Sequence, residues 1–302
     1  MTAKMNSLTT TDDECYDYFD STKQQHLITK EESSLAIAIR LNNRACFLLS
    51  DINNGNSNNN GNNGGGGEEQ QDALDMFNSA IDRLKIHANT TKVPSDRTNA
   101  DALARSFQTR TIPIGVASHN NINDNTIVDR LVLIHQHNAA TMELYPIYVG
   151  CLLHNMALTY HQLAYKMTQN RVSFLTKARG LYHLVVQSLS CTGSLHRDDT
   201  TIGLCAVALN NVAELYRQEY RHDEMTHVVQ QLKPMVSFLR QERSRDLLQS
   251  KKMKNNNNDP PATTAATTTT TTSVPHLVSS GDLDRITLNF VLWKVPNVAA
   301  AA

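Results

Sequence analysis

The side chains able to carry out chemistry are few and widely scattered. Cys151 stands three residues before His154 in an apolar stretch, the spacing at which one helical turn could place a thiol beside an imidazole base. His154 and His161, seven apart, share a helix face, and His135 and His137 share the face of a strand. A nucleophilic thiol also needs an oxyanion hole and a group to orient its base, and nothing nearby supplies either. A metal ion needs further ligands, yet no cysteine or carboxylate completes either histidine pair at a recognised spacing. Gly64 to Gly67 lie in a polar tract with no strand before them and no lysine after, so they are not a phosphate loop. Cys151 therefore reads as a buried thiol and the histidines as satisfied or solvent-facing. The expectation is a protein without catalytic residues, metal or cofactor.

The chain has 302 residues, 40% of them hydrophobic, with a net charge of −1. That is enough apolar material for a core, and the charge gives no general attraction to nucleic acid or to an anionic membrane. The first twenty residues are polar and then acidic, with no basic start and no apolar run, unlike a secretory signal. No apolar run is long enough to cross a bilayer. The five cysteines (Cys15, Cys46, Cys151, Cys191, Cys205) are odd in number and form no CxxC. This reads as a reduced protein of the cytoplasm or nucleus.

Helices are needed to position these residues, and the clearest signal is at 208–232. Val212, Ala213 and Tyr216 form one apolar stripe; Met225, Val229 and Leu232 form another; Arg217 to Asp223 between them are polar. This pattern predicts two helices, about 200–219 and 222–249, joined by a tight turn. Arg243, Arg245, Lys251, Lys252 and Lys254 suit the end of the second. Earlier, Thr29 and Glu32 have capping-box spacing ahead of a helix at about 31–50. Ala73, Phe77, Ala80 and Leu84 make the amphipathic face of a second helix. Between these two lies an Asn/Gly tract, 53–67, which reads as a flexible loop. Ala213 precedes Met225 by 12 positions whereas Ala45 precedes Ala73 by 28; the excess of 16 is close to the length of the tract. Lengthening a surface loop costs only about 0.6 kcal/mol per doubling, so a stretched hairpin is tolerable. A third pair, 147–169 and 172–189, begins at Pro146, with Asn170 as a cap between its helices.

Two segments break the helical pattern. Residues 109–116 and 126–134 are β-branched and separated by turn formers, so they predict a β-hairpin with Pro113 on an edge strand; a helix over 128–143 is the rival reading. Near the C-terminus, Ile286, Leu288, Phe290 and Leu292 alternate with Thr287, Asn289 and Val291 and end at Trp293, which predicts a strand. The domain plan is a disordered region at 1–28, a helical domain at 29–250 carrying the 53–67 insert and the 109–134 hairpin, a disordered linker at 251–281, and a docking tail at 282–302. The tail would dock on the sheet edge or on the hairpins.

The large-small pair Val212-Ala213, followed by Tyr216 and then by a buried position at Met225, resembles a tetratricopeptide repeat (TPR) hairpin. It departs from that pattern where Met225 replaces the usual alanine and Tyr220 stands where a turn glycine is common. Asn42-Asn43-Arg44-Ala45, His154-Asn155-Met156-Ala157 and Asn210-Asn211-Val212-Ala213 line up with one another. With the ending from Leu288 to Ala302, the chain is similar to a family of TPR-like proteins with low-complexity inserts found in diatom genomes. The likeness covers most of 33–240 and the tail, and it carries no activity with it.

For the fold, the resemblance implies a mainly α, TPR-like α-solenoid of about three hairpins, with a small β element from the middle segment and the tail. The first helix of each hairpin would line a groove for an extended peptide. By position, Asn43, Asn155 and Asn211 would hydrogen-bond the peptide backbone, whatever its side chains, because an amide donates and accepts at once. Asn42, His154, Leu158, His161, Asn210, Glu214, Arg217 and Gln218 would be groove neighbours. The three asparagines have a second reading, as ties between neighbouring helices. Only Arg217 and Arg44 could serve as a clamp for a terminal carboxylate. The expected function is a non-catalytic scaffold that binds a protein or peptide. Two other readings stay open: a small-molecule site between the β element and the hairpins, using His135, His137 or His154, and an oligomer formed by exchange of the tail strand.

Overall fold

The computed structural model describes residues 33–53, 66–90, 109–113, 128–135, 144–167, 169–190, 199–256 and 277–293. Its helices are α1 (Ser34–Asn53), α2 (Gly66–Thr90), α3 (Tyr145–Lys166), α4 (Arg171–Ser190), α5 (Asp199–Gln218), α6 (His222–Asn256) and α7 (Ser280–Trp293). Two strands, β1 (Thr109–Pro113) and β2 (Arg130–Ile134), lie between α2 and α3. The protein is mainly α, with one small antiparallel sheet. Among the described residues, no helix is long and apolar enough to cross a membrane.

Each helix from α1 to α6 packs on the next in sequence, and α1 with α3 and α3 with α5 also touch. The hairpins α1–α2, α3–α4 and α5–α6 thus stack in chain order. The second helices show one buried stripe each, as period 3.6 requires: Ala73, Phe77, Ala80 and Leu84 on α2; Leu175, Ala178, Tyr182, Val185 and Leu189 on α4; Met225, Val229, Leu232, Val236 and Leu239 on α6. The first helices are different. From Ile147 to Ala164, α3 is buried on nearly every side, and so is α5 from Gly203 to Tyr216. Helices buried all round must be covered on the face that hairpin partners leave open.

Local signals set several boundaries. Pro146 sits at the start of α3, where a missing N–H costs nothing. α4 begins one residue after Asn170, whose carbonyl accepts from Phe174 N–H at 3.0 Å. The α5–α6 turn places Tyr220 at φ 58°, the left-handed conformation that favours glycine. Tyr220 N–H bonds Arg217 O at 3.1 Å and Arg221 N–H bonds Tyr216 O at 2.9 Å, the paired closure of a Schellman cap. The resemblance places a glycine there, and the chain meets the same geometry with a tyrosine.

The middle segment is a β-hairpin, as the residue pattern predicts, with register Thr109↔Ile134 through Pro113↔Arg130; the rival helix over 128–143 is excluded over 128–135. The predicted tail strand is overturned: 280–293 form α7. Its alternation is coincidental, since Leu288 and Leu292 are exposed while Leu283, Ile286 and Asn289 are buried at helical spacing. The overlooked signal was Ser279 with Asp282, a reciprocal cap. Ser279 N–H and Oγ–H donate to Asp282 Oδ2 at 2.8 and 2.6 Å, and Asp282 N–H donates to Ser279 Oγ at 3.1 Å. The predicted linker 251–281 also shrinks at both ends, because α6 runs to Asn256 and Leu277 and Val278 are buried. Val278 rests on α5 at Gly203, where a Cβ would meet Val278 Cγ2 at 2.9 Å. The 1–28 region, the Thr29/Glu32 cap and most of the 53–67 insert lie outside the described residues.

Candidate strand-binding groove

The face left open by the hairpins is the one lined by α1, α3 and α5, and it is filled by residues 128–134. An extended strand has two hydrogen-bonding edges, and alternate residues turn to each. Leu131 and Leu133 face β1 in the sheet register. The groups of residues 128, 130, 132 and 134 face the helices, where side-chain amides replace a second strand.

Asn155 on α3 is the centre. Its Oδ1 accepts Val132 N–H at 2.8 Å, and its Nδ2 donates to Val132 O at 2.9 Å. Asn42 Nδ2 on α1 donates to the same carbonyl at 3.1 Å, so both of its lone pairs are filled. Asn155 Nδ2 also donates to Asn42 Oδ1 at 2.8 Å, tying the first two hairpins together. Asn43 repeats the two-point grip on Ile134, with N–H to Oδ1 at 3.0 Å and Nδ2 to carbonyl at 2.8 Å. Asn211 on α5 repeats it on Val128, at 3.0 and 3.2 Å. Between them, His154 Nε2 lies 3.0 Å from Arg130 O. A carbonyl can only accept, so the neutral ring carries its proton on Nε2. The strand therefore runs from the third hairpin to the first, gripped at every second residue. Asn42, Asn155 and Asn211 are fully buried, as are Val128 and Leu131 to Ile134.

The sequence reading expected a partner peptide on these asparagines; what they hold in this structure is a segment of the chain itself. Asn155 also ties neighbouring helices.

The other predicted groove residues do different work. Asn210 accepts from Asn289 Nδ2 of α7 at 3.0 Å and lies 3.3 Å from Asn211 Oδ1. Glu214, three residues after Asn211 on α5, is closed by Arg217 (2.8 and 2.7 Å) and by Gln218 at 2.9 Å. Gln218 also bonds the Tyr165 hydroxyl. Leu158 is core, and Arg44 is exposed. His161 stacks on Tyr165, with ring centroids 5.4 Å apart, and meets the edge of Tyr182 at 6.2 Å. No hydrogen bond is made at either of its nitrogens. Burial pushes both His154 and His161 down to about 4, opposed by the Arg130 carbonyl in one case and by Glu214 in the other. Both are neutral at pH 7. His135 is exposed at the strand end, and His137 lies outside the described residues. Among the described residues, no three His, Cys, Asp or Glu side chains are grouped to hold a metal ion.

Several residues around the strand carry contacts that the sequence did not signal. Tyr182 of α4 accepts from Asn211 Nδ2 at 3.2 Å, and burial raises its hydroxyl well above the usual range. Cys46 lies 3.3 Å from Asn155 Nδ2, its thiol likewise pushed up by burial. Arg130 Nε meets the Asp282 carboxylate at 3.0 Å, and Arg285 meets Asp129 at 3.3 Å, so α7 touches the strand as well as α5. One clue was available: a two-stranded hairpin as apolar as 128–134 is not stable unless its faces are covered.

No protein-family model matches the chain, no curated protein sequence matches it, and no solved structure matches it.

Proposed function

We propose that the chain is a non-catalytic binding and scaffold module, a TPR-like α-solenoid of three hairpins whose inner face takes an extended polypeptide through its backbone. The TPR-like family with low-complexity inserts is the one to which it would belong. The observation that supports this reading is the two-point amide grip repeated at Asn43, Asn155 and Asn211. Each amide mimics a neighbouring strand and places no demand on the side chain it holds, as in binding by strand addition. Residues 128–134 are then an occupant in cis, and a partner segment binds by taking their place. Residues 280–293 form a helix and offer no strand for exchange between copies, and the repeated amide grip favours the scaffold reading.

The test uses the full chain with Val132→Pro, which removes the strand N–H that Asn155 accepts and leaves the groove intact. A labelled peptide of residues 126–135 should bind this variant saturably and bind wild type far more weakly. Adding Asn43, Asn155 and Asn211→Ala should abolish binding while circular dichroism still reports a helical fold. Absence of binding to a folded Val132→Pro chain would overturn the proposal. Wild-type hydrogen exchange offers a second check: excess peptide should speed exchange at the displaced Val128, Val132 and Ile134 amides.

A further inference from the structure

Backbone grips give affinity without choice, so selectivity has to come from side chains. The strand's side chains meet two kinds of surroundings. Leu131, Val132, Leu133 and Ile134 are buried in apolar contacts that ask only for bulk. Arg130 meets a single charge, the Asp282 carboxylate, at 3.0 Å. Asp282 is 2% exposed; its Oδ2, the oxygen 3.0 Å from Arg130 Nε, also accepts from Ser279, and its Oδ1 lies 3.1 Å from the same Nε. Such a buried carboxylate rejects an acidic or apolar neighbour far more strongly than an exposed one would. One residue earlier, Asp129 meets Arg285 of the same helix. The helix α7 therefore presents an acid and a base in the order that matches Asp129-Arg130.

Resting on the groove reading above, we infer that the partner is an extended segment of another polypeptide in which an acidic residue and an arginine precede a run of aliphatic residues, the arginine being read by Asp282. α7 is then the specificity element, and the asparagines are the general one. The occupant's chemistry follows from charge complementarity at Asp282 and Arg285 together with the apolar seats of residues 131–134.

The experiment compares two labelled peptides on the full-length Val132→Pro chain: TIVDRLVLIH and the same sequence with glutamate in place of arginine. The arginine peptide should bind about tenfold or more tightly. Asp282→Asn, which keeps an acceptor for the Ser279 cap, should erase most of that preference while leaving the glutamate peptide's affinity equal or improved. Equal binding of the two peptides to the Asp282 chain would overturn the assignment of Asp282 while the groove reading survives; no binding of either would overturn both. Should Val132→Pro fail to fold, the cycle is run in cis. Arg130→Glu should speed exchange of the Val128 and Val132 amides much more with Asp282 present than in the Asp282→Asn chain. Equal acceleration in the two backgrounds would overturn the inference.

Discussion

β2 and α7 are both guests on the hairpins, and they are held by opposite means. β2 is held through its main chain, with Asn43, Asn155, Asn211 and His154 on the N–H and C=O groups of alternate residues. α7 satisfies its own backbone and is held through side chains: Asn289 on Asn210, Asp282 on Arg130, Arg285 on Asp129, and Leu283 and Ile286 in the core. An extended segment brings unpaired peptide groups, and burying them without partners costs about 1–3 kcal/mol each. A helix brings none along its length, so its host can be apolar with a few polar contacts. The asparagine-rich inner helices are therefore the mark of a host for strand rather than for helix.

The largest break in this comparison should come at Asn155. Asn155→Ala strips Val132 N–H and Asn42 Oδ1 of their partners in the core, and should cost about 3 kcal/mol or more in urea unfolding. Leu131→Met, a change of side chain alone on the same strand, should cost less than about 1.5 kcal/mol. Similar losses for the two would mean that the backbone grip is not what holds β2.

Acid should act next. His154 and His161 fall from 6.5 to about 4 in the folded chain, so between these values the unfolded chain binds more protons. Stability should therefore be full above pH 6.5 and decline as pH falls toward 4, by at most ~3 kcal/mol for each ring. His154 touches the strand and His161 does not. His161→Leu should remove its share of the slope and leave the strand amides protected, as read by hydrogen exchange at pH 5 and pH 7.5.

The side-chain grip should be weaker. Arg130→Met leaves Asp282 buried without its cation and should cost about 2 kcal/mol, discounted because Arg130 is 31% exposed. Faster exchange should be concentrated in 280–293 and around residues 128–130, not at Ile134. The smallest effect, and a gain, is expected at Tyr220→Gly. The tyrosine is 80% exposed and left-handed, so relief of strain should add about 1 kcal/mol to the thermal stability of the α5–α6 hairpin.

Much of this was written in local pattern. Apolar stripes at period 3.6 placed the hairpins, including the one stretched by the Asn/Gly tract, because a stripe survives any loop length. The β-branched runs at 109–116 and 126–134 signalled a hairpin, whose strands are 109–113 and 130–134. The asparagines preceding Ala45, Ala157 and Ala213 were legible as one repeated position on the first helix of each pair, though not that the chain's own residues 128–134 would meet them. The tail was misread because alternation over seven residues is a weak signal beside a cap at Ser279 and Asp282.

By itself, then, the sequence determined which segments from α1 to α6 are helical, where they turn, and that three amides share one position on the first helix of each pair. Tertiary structure decided what those amides hold. Asn211 and Val128 are 83 positions apart, and Arg130 and Asp282 are 152 apart. A residue pattern reports which face is apolar or amide-bearing over one or two helical turns. It does not report which distant segment will bring the backbone or the charge to meet it, since that depends on the closure of the whole chain.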